Sequence, residues 1–298
     1  MADEPAIRTE ALVKRYGRRG GAMALKGLDL TVATGEVFGF LGPNGAGKST
    51  TIRILLDLIR PTSGSVRVLG ADPRSAPGRR ADIGYLAGDF VANPRQSGRE
   101  LLTYLGELRG GVPAERIEQL VSAWDLDPTK RIGSLSKGNR QKLGVIQAFM
   151  HRPPLLVLDE PTSGLDPFLQ QQFVELVREA AGNGQTVFMS SHVMSEVQQT
   201  CDRVGIIRAG SLVAVEHIDD LRKRALRKIE VHFGADAPAL SVPGISDVTI
   251  DGKVLRCKLS GDADALVKAL AQHHVVDLIS EEPELEELFF TYYRHQEA

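Results

Sequence analysis

Eight residues, Gly42-Pro43-Asn44-Gly45-Ala46-Gly47-Lys48-Ser49, constrain this chain more than any other stretch. They match the pattern G-x-x-x-x-G-K-[S/T], in which glycines let consecutive backbone N–H groups turn inward around an anion. The apolar run Val37-Phe38-Gly39-Phe40-Leu41 precedes them and reads as a buried strand, and a helix is expected over residues 47–59. A helix opening there points the positive end of its dipole at the same anion. The pattern predicts a nucleotide phosphate cradle, with Lys48 reaching the β- and γ-phosphates, Ser49 ligating Mg2+, and Thr50 in the same first helical turn. In isolation these residues also describe a glycine-rich turn with an exposed lysine. The strand before and the helix after select the phosphate reading.

A second element supports the first. Leu155-Leu156-Val157-Leu158-Asp159-Glu160 is an apolar strand with two carboxylates at its end. Open α/β sheets bind ligands at such strand ends. Asp159 is placed to hold Mg2+, directly or through water. Glu160 is placed to orient or deprotonate an attacking water. Alone, this stretch would read as a strand ending in solvated acids.

Strands expected over 7–13, 25–32, 66–69, 83–86, 186–190 and 204–207 alternate with helical patterns, which predicts an α/β fold with a largely parallel sheet. Between residues 89 and 150 the period turns helical, with Leu101, Leu102, Leu105 and Leu108 expected on one face. Another helix should start near Pro167. Residues 219–228 are densely charged and read as a solvated helix face rather than a nucleic-acid contact. Beyond them, strands over 229–233, 248–250, 254–259 and 275–279 and helices over 264–272 and 285–293 suggest a small α+β domain. The expected domains are 1–216, with a helical subdomain over about 89–150, a basic linker at 217–228, and an accessory domain at 229–298.

Composition narrows the class. A hydrophobic fraction of 42% and a charged fraction of 25% are globular and exclude wholesale disorder. No apolar run approaches the ~20 residues that a membrane-spanning helix needs. The first residues lack the apolar core of a secretory signal. The two cysteines, Cys201 and Cys257, are far apart, which argues against a disulfide framework and fits a reducing compartment. The net charge of -2 hides an asymmetry. Residues 1–228 carry 31 bases and 25 acids, whereas residues 229–298 carry 5 bases and 13 acids. The larger part is cationic, as an anion-binding surface requires, and the accessory part is acidic.

Taken with the cradle, the later motifs resemble the nucleotide-binding subunit of an ATP-binding cassette (ABC) transporter. The resemblance runs over about residues 7–215. Leu135-Ser136-Lys137-Gly138-Asn139 resembles the family's LSGGQ signature, with Lys137 and Asn139 in place of Gly and Gln. Its physical logic is a second anion site made of a hydroxyl, a glycine N–H and a helix N-terminus. By itself Ser136 would be an ordinary helix cap. Ser163-Gly164-Leu165-Asp166 resembles the D-loop, His192 the switch histidine that contacts the γ-phosphate, and Tyr16 the aromatic residue that stacks on adenine.

The resemblance implies a P-loop NTPase fold, ATP and Mg2+ as ligands, and ATP hydrolysis carried by Lys48, Glu160 and His192. It implies a dimer, either a homodimer or a pair with a paralogue, in which Ser136, Gly138 and Asp166 face the partner's nucleotide. It further implies separate membrane permease subunits and a place on the cytoplasmic face of the membrane; no nucleic acid is expected. The closest likeness is to the ABC-2 class of drug, antibiotic and lipid exporters. Two other readings stand beside it: an ATP-binding regulatory or immunity module with little hydrolysis, and a non-transport ABC ATPase.

One position departs from the pattern. The family carries a glutamine after the strand over 83–86, where it touches Mg2+ and the attacking water. The matching residue here is Gly88, and the adjacent Asp89 is a possible source of a metal-ligating oxygen.

Overall fold

The computed structural model describes residues 4–17 and 20–281. The chain divides into two units, residues 1–215 and 216–298. The first unit contains strands β1 (Ile7–Arg15), β2 (Met23–Val32), β3 (Val37–Leu41), β4 (Ser63–Val68), β5 (Ile83–Leu86), β6 (Leu155–Asp159), β7 (Thr186–Ser191), β8 (Arg203–Arg208) and most of β9 (Ser211–His217), whose last two residues fall in the second unit. Its helices are α1 (Lys48–Leu55), α2 (Gly98–Leu108), α3 (Ala114–Ala123), α4 (Lys137–Phe149), α5 (Pro167–Gly182) and α6 (Met194–Thr200).

Six strands form one sheet in the order β5-β6-β7-β3-β8-β9. The pairs β5–β6, β6–β7, β7–β3 and β3–β8 are parallel. Every residue of β3, β6 and β7 is buried, which is why these strands read as continuous apolar runs rather than alternating ones. A separate antiparallel sheet has the order β2-β1-β4. One core cluster joins Phe40, Ile52, Val157 and Phe188 with Leu12 and Leu28 of the small sheet. That shared core seats α1 and the loop before it.

Several expectations need correction. Helix α1 stops at Leu55, not near residue 59. Asp57 turns left-handed with φ 53°, and the amides of Leu58 and Ile59 both close on the Arg53 carbonyl, which ends the helix. Leu101 and Leu102 are buried on α2, but Leu108 is 62% exposed and leaves the expected apolar face. Helix α6 and strand β9 were not expected. In the second unit, α7 (Ile218–Arg224) buries Ile218 and Leu221 and leaves Asp219, Arg222 and Lys223 exposed, so the expected solvated helix face is present on an amphipathic helix, and residues 227–228 already belong to the strand that follows.

The rest of the second unit is an antiparallel sheet, β11-β12-β10-β13, made of β10 (Arg227–Phe233), β11 (Ile245–Asp251), β12 (Val254–Leu259) and β13 (Val275–Ser280). Ile229, Val231 and Phe233 alternate with polar residues on β10, and Leu255, Cys257 and Leu259 do so on β12. They pack with Leu266 and Leu270 of α8 (Asp264–Leu270). The helix expected over 285–293 lies outside the described residues.

Candidate nucleotide site

The register of the parallel sheet gathers the site. Leu41 on β3 pairs with Ser191 on β7, and Asp159 on β6 pairs with Ser190. The loop after β3, the carboxylates after β6 and His192 after β7 therefore leave the sheet at one edge. Gly42 N donates to the Ser191 carbonyl at 3.2 Å, tying the first residue of the loop to the strand that carries the histidine.

Two glycines of the loop are required by space. A Cβ on Gly42 would sit 2.3 Å from the Ile207 carbonyl oxygen. Gly47 has φ 114°, and a Cβ there would lie 2.7 Å from the Ala24 carbonyl oxygen. Pro43, Asn44 and Gly45 form an exposed rim, Ala46 is buried, and Ser49 and Thr50 are half-buried. The Thr51 hydroxyl donates to the Gly47 carbonyl at 3.0 Å and fastens the start of α1.

Lys48 is buried, and its Nζ donates to the carbonyls of Gly42 at 2.6 Å and Pro43 at 3.3 Å. The same Nζ lies 3.2 Å from Glu160 Oε1. The other oxygen of that carboxylate, Oε2, is 2.5 Å from His192 Nδ1. An ionised carboxylate only accepts, so Nδ1 is the protonated nitrogen in this contact. Glu160 holds an unusual backbone, with φ 48°, at a cost of about 1–3 kcal/mol for a non-glycine residue. Its amide is fixed by the Ser190 carbonyl at 3.2 Å and the Ser190 hydroxyl at 3.1 Å. That hydroxyl in turn donates to Asp159 Oδ1 at 2.5 Å. Tyr85 on β5 feels the same carboxylate: burial first, and then the Asp159 charge, raise its hydroxyl above the ordinary value of 10.0.

A hydroxyl from Ser49 and a carboxylate from Asp159 are hard oxygen donors. Together with phosphate and water they suit Mg2+, which favours few protein ligands. Among the described residues no group of three or more His, Cys, Asp or Glu side chains forms a larger metal cage.

Tyr16 follows β1, is 40% exposed, and places its hydroxyl 3.4 Å from the Thr50 hydroxyl. It therefore stands beside the first turn of α1. Lys14 Nζ sits 5.1 Å from the centre of the Tyr16 ring and donates to the Arg60 carbonyl at 2.6 Å.

The remaining predicted residues gather elsewhere. Ser136 caps α4 and accepts from Asn139 N at 3.2 Å. Asp166 caps α5 and accepts from Leu169 N at 3.0 Å. Gly138 abuts the D-loop, since a Cβ there would lie 3.4 Å from the Gly164 carbonyl oxygen. No hydrogen bond among the described residues joins Ser136, Gly138 or Asp166 to the cradle. Gly88 does reach the site: a Cβ on it would meet the Asp159 carbonyl oxygen at 3.2 Å. Asp89 is exposed and makes no hydrogen bond to Ser49 or Asp159.

Reading the sequence missed Lys14, Ser190, Thr162 and Glu196, all of which bond into this region. The Ser-Ser pair before His192 was a usable signal for Ser190. The others sit in no recognisable spacing.

Comparison with known proteins accords with this geometry. Residues 25–163 match the ABC transporter family. The chain is 34% identical, over 97% of its own length and 96% of the relative's, to a daunorubicin resistance ATP-binding protein of Streptomyces coeruleorubidus. It is 36% identical to a bacitracin transport ATP-binding protein of Enterococcus faecalis, covering 75% of this chain and 73% of that one. In fold it is similar to a dimeric ATP-binding cassette solved in a post-hydrolysis state with ADP and Pi, with a TM-score of 0.63, 23% identity, and coverage of 71% of this chain and 98% of that one. The chain belongs to the ABC transporter family, as one of its ATP-hydrolysing, ATP-binding cassettes.

Proposed function

We propose that this cassette hydrolyses ATP with Glu160 and His192 at the γ-phosphate, works as one half of a dimer, and powers separate permease subunits that export a drug-like or lipidic compound. The observation that carries the catalytic part is the Glu160 carboxylate, held between Lys48 and His192 at the mouth of the phosphate cradle.

Hydrolysis of this kind needs positioning and charge neutralisation more than covalent chemistry. The backbone of 42–49 and the start of α1 hold the phosphates, and Lys48 meets the β- and γ-phosphate charge. Phosphate oxygens offer Lys48 a partner in place of Glu160, which releases the carboxylate to take the proton of an attacking water. His192 keeps Glu160 aimed through Nδ1. Ser49 and Asp159 would hold Mg2+, which would supply charge neutralisation for the phosphates. Tyr16 offers its ring to adenine.

The dimer reading rests on three residues that lie away from their own cradle. Ser136 uses its oxygen to cap α4, so its O–H proton stays available to a phosphate of the facing subunit. Gly138 lies two residues on in the same helix start, against the turn that carries Gly164 and leads to Asp166. Reciprocal contacts of this type suit a two-fold interface, and two copies of this chain satisfy it. The drug-like cargo is supported by the two relatives, one a daunorubicin resistance protein and the other a bacitracin transport protein. The permease is supported by the absence, among the described residues, of any helix long and apolar enough to cross a membrane. Work alongside a permease places the cassette on the cytoplasmic face of the membrane.

The test is Glu160→Gln. Phosphate release should fall by about 100- to 10,000-fold, the range of a general base. ATP binding should persist, and the variant should elute as an ATP-dependent dimer on size exclusion. Undiminished turnover would remove Glu160 from the reaction. A wild type that binds ATP and releases no phosphate, even with its permease, would favour a regulatory binding module.

A further inference from the structure

Glu196 lies in α6, four residues beyond His192, and belongs to none of the motifs above. Its carboxylate uses both oxygens on two different loops. Thr162 Oγ1 donates to Oε1 at 2.5 Å, and Ser191 Oγ donates to Oε2 at 2.6 Å. Thr162 and Ser191 are buried and Glu196 is half-buried, so the bonds are partly shielded from water. Hydrogen bonds to an ionised carboxylate are about twice as strong as neutral ones.

Each loop leads directly to a reacting group. Thr162 stands two residues after Glu160, within a turn where Ser163 N donates to the Glu160 carbonyl at 3.1 Å and Leu165 N to the Thr162 carbonyl at 3.0 Å. Ser191 immediately precedes His192. Its hydroxyl accepts from Val193 N at 2.9 Å, and its carbonyl accepts from Gly42 N. One carboxylate therefore spans the turn after Glu160, the turn that carries His192, and, through Ser191, the first residue of the phosphate loop. The turn after Glu160 runs on through Gly164 to Asp166, which is assigned above to the dimer face.

We propose that Glu196 is a positioning residue for ATP hydrolysis: it holds the Glu160 and His192 loops in register so that both groups meet at the γ-phosphate. This rests on the reading of Glu160 and His192 as the groups that handle the attacking water. Misplacement of a reacting group by about 1 Å costs on the order of 100-fold in rate, so loosening the link should show in turnover before it shows in nucleotide binding.

The experiment is steady-state ATPase kinetics of the full chain, with ATP binding and thermal unfolding measured in parallel. Glu196→Ala should lower kcat by about 10- to 100-fold and leave the KM and Kd for ATP within about threefold, because the cradle itself is untouched. Glu196→Gln, which keeps one acceptor oxygen and an amide donor, should recover part of the loss. Thr162→Val should lower kcat in the wild type and add little in the Glu196→Ala background, since both remove the same link. A folded Glu196→Ala with kcat within about twofold of wild type would overturn the proposal, as would equal losses in kcat and ATP affinity. If Glu196→Ala does not fold, Thr162→Val and Ser191→Ala carry the test, and unchanged kcat in both overturns it. Glu160→Gln, run alongside, separates the two ideas. Loss of turnover there with normal kcat in Glu196→Ala removes only the positioning role, whereas full turnover in Glu160→Gln removes the catalytic reading beneath it.

Discussion

Lys48 and Glu160 form an ion pair of 3.2 Å with side chains only 6% and 22% exposed. The lysine proposed to meet phosphate and the acid proposed to handle water are thus in direct contact. A shielded pair of this sort is costly to break from one side, because the remaining charge stays behind unpaired. Lys48→Met should weaken ATP binding by about 1.5–3 kcal/mol, or roughly 10- to 150-fold, the worth of hydrogen bonds to a charged group. Titration calorimetry with ATP checks this. Affinity within about twofold of wild type would place the phosphates outside the reach of Lys48.

Tyr16 is tethered at two points, by the Thr50 hydroxyl and by Lys14 over its ring. Base–aromatic stacking is worth about 1–3 kcal/mol. Tyr16→Ala should raise the Kd for ATP accordingly and leave inorganic tripolyphosphate binding unchanged, because the latter has no base. Tyr16→Phe should keep most of the affinity. Lys14→Ala should cost less than Tyr16→Ala, about 0.5–1 kcal/mol for an exposed cation–π contact. Competition binding with the two ligands measures all three.

A Cβ added at Gly88 would lie 3.2 Å from the Asp159 carbonyl oxygen, and the neighbouring Asp89 is exposed. Asp89→Ala should leave the Mg2+ concentration for half-maximal ATPase within about twofold of wild type, since an exposed carboxylate that lacks a bond to the donor set contributes little. Gly88→Gln should shift that concentration after the Asp159 backbone yields by a few tenths of an ångström. A Mg2+ titration of both variants tests the pair. A large rise for Asp89→Ala would place its carboxylate on the metal.

His151 follows α4, and neither of its ring nitrogens has a hydrogen-bond partner among the described residues. Burial first, and then the nearby Arg109 charge, lower its pKa from the ordinary 6.5 to about 4. The unfolded chain therefore binds a proton at a higher pH than the folded one. The sign follows: stability is fully present above about pH 6.5 and is lost as the pH falls toward 4. His151→Leu should flatten the Tm profile across that window and leave the neutral Tm within a few degrees. Scanning calorimetry from pH 7.5 to pH 4 checks it, and parallel slopes for the two proteins would contradict it.

Much of the site was legible because its residues are consecutive. The loop 42–49 needs glycines where Ile207 and Ala24 carbonyls crowd the backbone, and the sequence supplies them. The buried strands β3, β6 and β7 announced themselves as unbroken apolar runs. Leu108 and the charged helix α7 were harder. Local periodicity tells which residues share a face, but burial depends on what another part of the chain brings against that face.

The sequence by itself determined the chemistry: a phosphate cradle, two carboxylates at a strand end, and a histidine after a later strand. Only the tertiary structure decided which side chain holds which. Ser190 on Asp159, Lys14 over Tyr16, and Glu196 across Thr162 and Ser191 are contacts between distant residues or separate turns. Such partnerships follow from the strand order and the parallel register, which set Asp159 beside Ser190 and Leu41 beside Ser191. A linear pattern carries spacing along the chain. The distances that position a proton or a phosphate are set across the sheet.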